Sequence, residues 1–274
     1  MRPRVSSLLV HLVLLSYTAL ALFPTLLMVM NSFKAREAIF GQPLALPTAS
    51  TFDLVGYQTV FTTARFDLYF LNSLIVTFAS LVTILVVSSG AAWALARYDF
   101  RGSVWLGLYL SLGIMVPIRL GTVSLLKMMV ALKLTNTLLA LILVYAASGI
   151  PLAVFILTQF FKQVPRELED AARMDGANEY QIFWLLLPLV RPALGTVAVF
   201  NMIPIWNDLW FPLILAPAEK SKTLILGAQV FLGQFINDWN AILAALTLAV
   251  LPVMVLYIIF SRQLIRGLTQ GAVK

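Results

Sequence analysis

The sequence predicts an all-α polytopic membrane protein with about six transmembrane helices. Hydrophobic residues make up 61% of the 274 positions and charged residues only 11%, whereas roughly a quarter of the residues in soluble domains are charged. The mean hydropathy of +0.92 agrees with a chain that is solvated by lipid. Because open sheet edges cannot be satisfied in a bilayer, the apolar spans must be helical.

The charged residues also lie between long uncharged runs. Four runs exceed the ~20 residues that cross a hydrocarbon core: 29 residues between Arg4 and Lys34, 29 between Asp67 and Arg97, 28 between Lys133 and Lys162, and 23 between Asp238 and Arg262. A shorter run from Gly102 and an interrupted stretch after Pro188 complete the count. The predicted spans are 8–30, 68–96, 103–121, 135–160, 189–213 and 239–261.

The first span has two interpretations. A basic start and the small residues Ala19 and Ala21 fit a cleavable signal, but the apolar run continues to Met30. That is longer than the ~7–15 residues of a signal core, so we expect an uncleaved anchor. His11, the one histidine of the chain, is expected to pack within this span or to lie near its end.

Segments between the spans complete the predicted organisation. Residues 31–67 contain Gly41, Pro43 and Pro47 and are expected to form an ordered extracytoplasmic loop with short structure. Residues 121–134 have apolar side chains near helical spacing, which predicts a short helix at the outer interface. The whole chain, 1–274, is predicted to be a single transmembrane domain with a charged loop at about 162–188.

The stretch ELEDAARMDGANEYQIF, Glu167 to Phe183, holds five of the 12 acidic residues. Acids after Pro165 suit a first helical turn, and Glu169 with Arg173 is an i,i+4 pair in the favoured order. Gly176 is expected to end this helix, and Asn178 with Gln181 predicts a capping box that opens a second one. The pattern therefore predicts two short helices that meet at a glycine.

Several functional classes have little support in the sequence. The formal net charge of +7 comes without a dense basic cluster, so membrane topology explains it better than nucleic-acid binding. With an even number of spans both termini lie on one side, which the basic residues near the span ends indicate is cytoplasmic. The chain has no cysteine and no phosphate-binding loop motif, so we expect no metal site and no ATP site of its own.

The segment VPRELEDAARMDGANEYQIF...LPLVRPAL resembles the cytoplasmic EAA loop of the membrane subunits of binding-protein-dependent ABC importers. The stretches ASGIPLAVFILTQFFKQVP, WNDLWFPL and RQLIRGLTQGAVK are similar to the carbohydrate-uptake branch, especially its maltose-type second permease. The resemblance runs over most of residues 68–274. It implies a type I permease fold and location in a bacterial or archaeal cytoplasmic membrane.

The resemblance also implies a mechanism and partners. The loop of this family forms a coupling helix that sits in a cleft of a cytoplasmic ATPase dimer, where ATP and Mg²⁺ bind. Further implied partners are a second homologous permease, an extracytoplasmic solute-binding protein, a sugar and membrane lipid. The residues that would contact the ATPase are Glu167, Glu169, Asp170, Ala171, Ala172, Asp175, Gly176 and Ala177. The sequence departs from the family's usual pattern at two points. Asp170 stands where the E-A-A triplet begins with glutamate, and the distance from Gly176 to Pro188 is one residue shorter than usual.

A translocation path needs polar groups at membrane depth. Asp208 is the acid within a predicted span, and insertion scales give such a charge a cost of about 2.5–3.5 kcal/mol, so it should face protein or water. Asn201, Trp206 and Asn207 share its neighbourhood, and an aromatic ring beside amides and a carboxylate suits a polyhydroxylated ligand. Asn72 and Tyr145 are weaker candidates. The alternative role for Asp208 is in packing against the second permease.

The sequence leaves other transport functions open. An ABC permease for glycerol phosphate or another small polar solute is the first alternative, although a phosphate would call for cations in the path. A stand-alone secondary transporter should carry more intramembrane charge than one acid. An intramembrane enzyme has no credible catalytic constellation here, so the chain is predicted to be a transport subunit and not an enzyme.

Overall fold

The structure is a computed structural model that describes residues 4–63, 65–232 and 237–270. Its described residues form helices joined by turns. The α-helices are α1 (Arg4–Asn31), α2 (Arg36–Gly41), α3 (Val55–Thr63), α4 (Phe66–Arg97), α5 (Ser103–Met115), α6 (Thr122–Ala131), α7 (Leu138–Gln163), α8 (Glu167–Met174), α9 (Glu179–Leu186), α10 (Arg191–Trp206), α11 (Trp210–Leu215), α12 (Leu224–Ala228) and α13 (Trp239–Gln270). Short 3₁₀ turns cover Ile118–Gly121, Leu187–Val190, Glu219–Ser221 and Gln229–Phe231.

The chain divides into two compact units, one of residues 1–67 and 227–252, the other of residues 68–226 and 253–274. Buried Lys34 organises the first unit. Its ammonium donates to Asn31 Oδ1 at 2.9 Å and to the Gln42 carbonyl at 2.8 Å, while its own carbonyl accepts from Asn240 at 2.7 Å. Helices α2 and α3 confirm that the predicted 31–67 loop is ordered with short structure.

The observed apolar helices agree with most of the predicted spans. Among the residues that the structure describes, four helices are long and apolar enough to cross a bilayer, namely Leu8–Asn31, Phe66–Arg97, Leu138–Gln163 and Glu179–Trp206. A fifth candidate is a bent pair, Ser103–Met115 with Ile118–Ala131. The predicted sixth span corresponds to a shorter apolar stretch, Trp239–Val255, within α13.

Two predicted spans have wrong bounds. The third was expected at 103–121, but its first helix ends at Met115 and the chain then turns by 85° into Ile118–Ala131. Val116 is extended before Pro117, as the clash of a proline ring with the preceding residue requires. The fifth was expected at 189–213, but its helical run starts at Glu179 and stops at Trp206, before a break at 207–209.

Helix α7 lies at the centre of the second unit. Its buried residues Leu141, Leu157 and Phe161 belong to one core cluster with α4 and α10. At Gly149 an added Cβ would lie 2.4 Å from Asn201 Oδ1 and 2.5 Å from Ile84 Cδ1. The absence of a side chain at Gly149 therefore lets α4 and α10 approach α7 closely.

The first turns of α4 hold the segment Glu219–Leu224. The Tyr69 hydroxyl donates to the Glu219 carboxylate, and Ser73 Oγ accepts from the Leu224 amide at 2.8 Å. Asn72 donates to the carbonyls of Lys220 and Lys222 at 3.1 and 2.9 Å. Asn72 is thus buried and occupied in joining two parts of this unit.

Candidate functional site

Helices α8 and α9 meet at Gly176, as the sequence predicts. Gly176 has φ +82°, a left-handed conformation that favours glycine. Its amide donates to the Arg173 carbonyl at 3.0 Å and the Ala177 amide donates to the Ala172 carbonyl at 2.9 Å. These two bonds form a Schellman motif, which satisfies the terminal carbonyls of α8 and fixes the angle of the chain.

The predicted capping box at the start of α9 is present. The Asn178 side chain accepts from the Gln181 amide at 3.0 Å, and the Gln181 side chain accepts from the Asn178 amide at 2.8 Å. Two otherwise unpaired donors of the helix are satisfied reciprocally. Together with the glycine cap, this makes the junction between α8 and α9 well defined.

A buried ion pair joins α8 to the end of α4. Arg97 Nε lies 2.6 Å from Glu169 Oε1, and the two side chains are only 4% and 6% exposed. The N–H is not aligned on the oxygen, so the contact is a charge pair more than a directed hydrogen bond. Arg97 also donates to the Val164 carbonyl at 2.7 Å, just ahead of α8.

Arg173 is the centre of a more exposed network. It lies 3.9 Å from Glu169, the predicted i,i+4 partner, 3.5 Å from Asp170 and 3.4 Å from Glu179. The hydrogen bond to Glu179 raises the pKa of Arg173. The Tyr98 hydroxyl donates a hydrogen bond to Glu179. Burial of Tyr98 is the larger cause and this hydrogen bond the next, and together they raise the pKa of Tyr98 to about 12.

The eight residues predicted to contact an ATPase divide between two faces. Glu169 and Ala172 are buried against this chain, and Ala177 is half-buried. The exposed members are Glu167, Asp170, Ala171, Asp175 and Gly176. Sequence reasoning did not include two large neighbours on the exposed side, Met174 and Tyr180, which are 88% and 80% exposed. We call Glu167, Asp170, Ala171, Met174 and Asp175 the α8 surface.

Asp208 forms a second cluster at the break after α10. Its carboxylate accepts from the Tyr145 hydroxyl at 2.8 Å and from the amides of Trp210 and Phe211 at 3.3 and 3.1 Å. Arg119, at the bend between α5 and α6, lies 3.3 Å away with its side chain 67% exposed. The acid is buried and faces its own chain, as the cost of a charge at membrane depth requires.

The remaining predicted path residues are dispersed. Trp206 is 2% exposed and its ring packs edge-on against Phe70. Asn201 is half-buried and donates back to the Val197 carbonyl at 2.9 Å. Asn207 is exposed and donates to the Ile203 carbonyl at 2.9 Å. The structure therefore brings Tyr145 and Asp208 together but does not gather all six residues in one site.

Arg97 and Arg119 are functional neighbours that sequence reasoning missed. Each lies at the end of an apolar run, where a basic residue ordinarily indicates membrane topology. The two acids that they meet, Glu169 and Asp208, lie in distant segments of the sequence. Within the described ranges no group of three or more His, Asp or Glu side chains is arranged to hold a metal ion.

Comparison with known proteins identifies the family. Residues 85–270 match the family described as "Binding-protein-dependent transport system inner membrane component". The chain belongs to this family.

Similar permeases extend the match to nearly the whole chain. A putative ABC transporter permease of Caldicellulosiruptor sp. is 35% identical and covers 94% of each chain. The diacetylchitobiose uptake system permease NgcG of Streptomyces coelicolor is 31% identical over 95% of this chain and 87% of its own. The arabinooligosaccharide transport system permease AraQ of Halalkalibacterium halodurans is 34% identical over 93% and 92%.

A solved structure supports the permease fold. The crystal structure of a bacterial ABC transporter that imports the acidic polysaccharide alginate contains a chain that matches with a TM-score of 0.82. It is 22% identical and covers 94% of this chain and 96% of that chain. The family match and the similar permeases, together with the apolar helices, make the protein a multi-pass inner-membrane permease of the ABC importer type. Such permeases are transport components, not enzymes, and act with a partner permease, an ATPase and a solute-binding protein.

Proposed function

We propose that this permease forms half of the translocation path of a sugar ABC importer and receives the energy of ATP hydrolysis through the α8 surface. In this proposal the α8 surface sits in a cleft of a cytoplasmic ATPase dimer, which binds ATP and Mg²⁺. The α8 end of the molecule and both termini then lie on the cytoplasmic side of the membrane.

The buried Arg97–Glu169 pair carries the proposal. A docking helix can transmit force only if it is held firmly to the spans, and this pair fixes α8 to the end of the 32-residue α4. The opposite face of α8 stays free: the Asp170 carboxylate is 71% exposed although Arg173 lies nearby. A helix anchored on one side and acidic on the other fits a partner cleft with basic residues.

The proposal assigns different roles to the eight predicted coupling residues. Glu167, Asp170, Ala171 and Asp175 contact the ATPase. Glu169 and Ala172 hold α8 against this chain, and Gly176 with Ala177 sets its angle to α9. Closure of the ATPase dimer would then move α8 and α4 together, as in other domain-closure transitions.

The choice of a sugar rests on relatives and on charge. The names of similar permeases include diacetylchitobiose, arabinooligosaccharides and starch degradation products as transported compounds. The exposed Arg119 is already paired with Asp208, so a phosphate-bearing solute would have to compete with a carboxylate for it. An uncharged, polyhydroxylated solute does not have to displace Asp208 from Arg119.

The path residues contribute in two ways. Asn72, Tyr145, Trp206 and Asp208 are buried and hold the helices that border the path. Asn207 is exposed and keeps a side-chain oxygen that can meet a passing hydroxyl, whereas the Asn201 oxygen packs against Gly149. Most of the recognition then falls to the solute-binding protein, with the second permease supplying the other half of the path.

Uptake by the full complex in proteoliposomes tests the coupling role. Asp170→Lys reverses an exposed charge on the α8 surface and should reduce ATP-driven sugar uptake by more than about tenfold, because like charges at an interface cost several kcal/mol. Glu37→Lys is the matched control, since Glu37 is also an exposed acid in the first turn of a short helix, α2. ATPase retention on the complex should fall in the first variant only.

The opposite result would remove the α8 surface from the mechanism. If Asp170→Lys binds the ATPase and transports as the wild type does, α8 is only a connection between spans. If this chain moves solute without any ATPase, the importer assignment itself fails.

A further inference from the structure

A groove between α5 and α7 has no part in the coupling and path roles assigned so far. The two helices touch at one end, where an added Cβ on Gly113 would lie 2.9 Å from Pro151 Cγ. Six residues earlier, about 9 Å along the helix, a Cβ on Gly107 would meet no heavy atom within 4 Å. Gly107 lines the space between the two helices, which measures ≈ 360 Å³.

The inner walls of this groove are effectively apolar. Leu110, Val154 and Phe155 line it. Its deeper hydroxyls are satisfied within their own helices: Ser111 donates to the Gly107 carbonyl at 2.8 Å and Thr158 to the Val154 carbonyl at 2.7 Å. A hydrocarbon chain could occupy this space without leaving a polar group unpaired.

The mouth of the groove is polar and charged. Asp99, Gln159 and Lys162 line it, and none of their side chains makes a hydrogen bond or ion pair with the described part of the chain. Asp99 and Lys162 also border an adjoining open cavity of ≈ 720 Å³ with Arg166 and Glu167. Three cations and two acids thus face a shared polar space at the level where a span ends. Because Arg97 is already paired with buried Glu169, Lys162 and Arg166 remain to balance Asp99 and Glu167.

We propose that this groove binds a zwitterionic, amine-bearing phospholipid such as phosphatidylethanolamine. One acyl chain lies between α5 and α7 beside Gly107. The phosphate lies near Lys162 and Arg166, and the ammonium lies near Asp99. Basic pockets between membrane helices are known sites for lipid head groups, and the balance of two acids against two cations favours a zwitterion over a simple anion.

Native mass spectrometry of the full importer complex tests this site. The complex is extracted from vesicles made of equal parts phosphatidylethanolamine and phosphatidylglycerol, and the lipid that survives mild delipidation is identified. The wild type should retain phosphatidylethanolamine in preference. Gly107→Leu, which adds a large side chain at the lining of the groove, should abolish this retention, whereas Gly90→Leu, at another open glycine in α4, should not.

Changes at the exposed mouth give a second test that does not alter packing. Asp99→Asn should remove the preference for phosphatidylethanolamine but leave phosphatidylglycerol bound. Lys162→Gln should weaken retention of both lipids by about fivefold, since one cation near a lipid head group contributes about 1 kcal/mol.

Three outcomes would overturn the proposal. Equal loss of lipid in Gly107→Leu and Gly90→Leu would indicate ordinary surrounding lipid. Equal retention of the two lipids, unaffected by Asp99→Asn, would indicate a general cation patch. Release of the second permease by Gly107→Leu, with no lipid bound in the wild type, would show that a protein helix fills the groove.

Discussion

Removal of one partner from the Arg97–Glu169 pair should release α8 from α4. In Glu169→Leu the arginine keeps only the Val164 carbonyl, at 2.7 Å, while its side chain stays 4% exposed. Loss of one member of a buried pair typically costs about 3–5 kcal/mol, because a charge remains buried without its partner. Arg97→Met should cost less, since Arg173 lies 3.9 Å from Glu169 and can take over part of the pairing.

Hydrogen exchange measures this local loss directly. We expect the amides of residues 167–177 to exchange roughly 150-fold faster in Glu169→Leu, the factor that corresponds to about 3 kcal/mol, while the interior of α7 keeps its protection. The double variant Arg97→Met with Glu169→Leu should recover most of the protection, because apolar residues of similar volume often replace a buried pair at little cost.

The two single changes should therefore differ in their effect on α8. Equal effects of the two single changes would show that Arg173 gives no support to Glu169. If both changes left the exchange of residues 167–177 within about twofold of the wild type, the pair would not hold α8. If the loss of exchange protection in the double variant equalled the sum of the two single losses, the stabilisation would come from packing of the arginine stem and not from charge.

Three further predictions test single features of the second unit. Gly176→Ala places a side chain at φ +82°, which should lower stability by about 1–3 kcal/mol in thermal unfolding of the purified complex; unchanged melting would refute the cap. Gly149→Ala sets a Cβ 2.4 Å from Asn201 Oδ1 and should cost about 1–3 kcal/mol through overpacking, a value that an Asn201→Ala background should reduce. The ultraviolet titration of Tyr98, isolated by subtracting Tyr98→Phe, should show a pKa of about 12, and Glu179→Gln should lower it. Because the folded-state pKa is raised, the contribution of the Tyr98 hydroxyl to stability is complete below the ordinary pKa of about 10 and is lost as the pH rises from about 10 to about 12.

Features set by neighbouring residues were predictable from the sequence. The glycine at φ +82° and the Asn178–Gln181 capping box depend on a few adjacent residues whose chemistry admits one local structure. The long apolar runs likewise gave the major spans, because lipid leaves the backbone few alternatives. The prediction of a single transmembrane domain stays a prediction.

Features set by distant residues were not predictable in the same way. Glu169 was expected to face a partner, and its burial against Arg97 depends on how α4 meets α8. Asp208 was expected to face inward, but nothing local in the sequence indicates Tyr145, 63 residues earlier, as its hydrogen-bond partner. The bend at Pro117 did have a local signal, since a residue before proline avoids helical geometry, but the apolar content of the run concealed it.

Helix α4 is tied at both ends, and this has a mechanical consequence. Arg97 joins one end to α8, while Tyr69, Asn72 and Ser73 join the other to the segment Glu219–Leu224. The 26 residues from Asn72 to Arg97 make a rod about 38 Å long. A tilt of about 5° at one tie displaces the other by about 3 Å, which is enough to break a hydrogen bond. The turn at 219–224 and the α8 surface therefore lie at opposite ends of one rigid helix, and a displacement of either end should move the other.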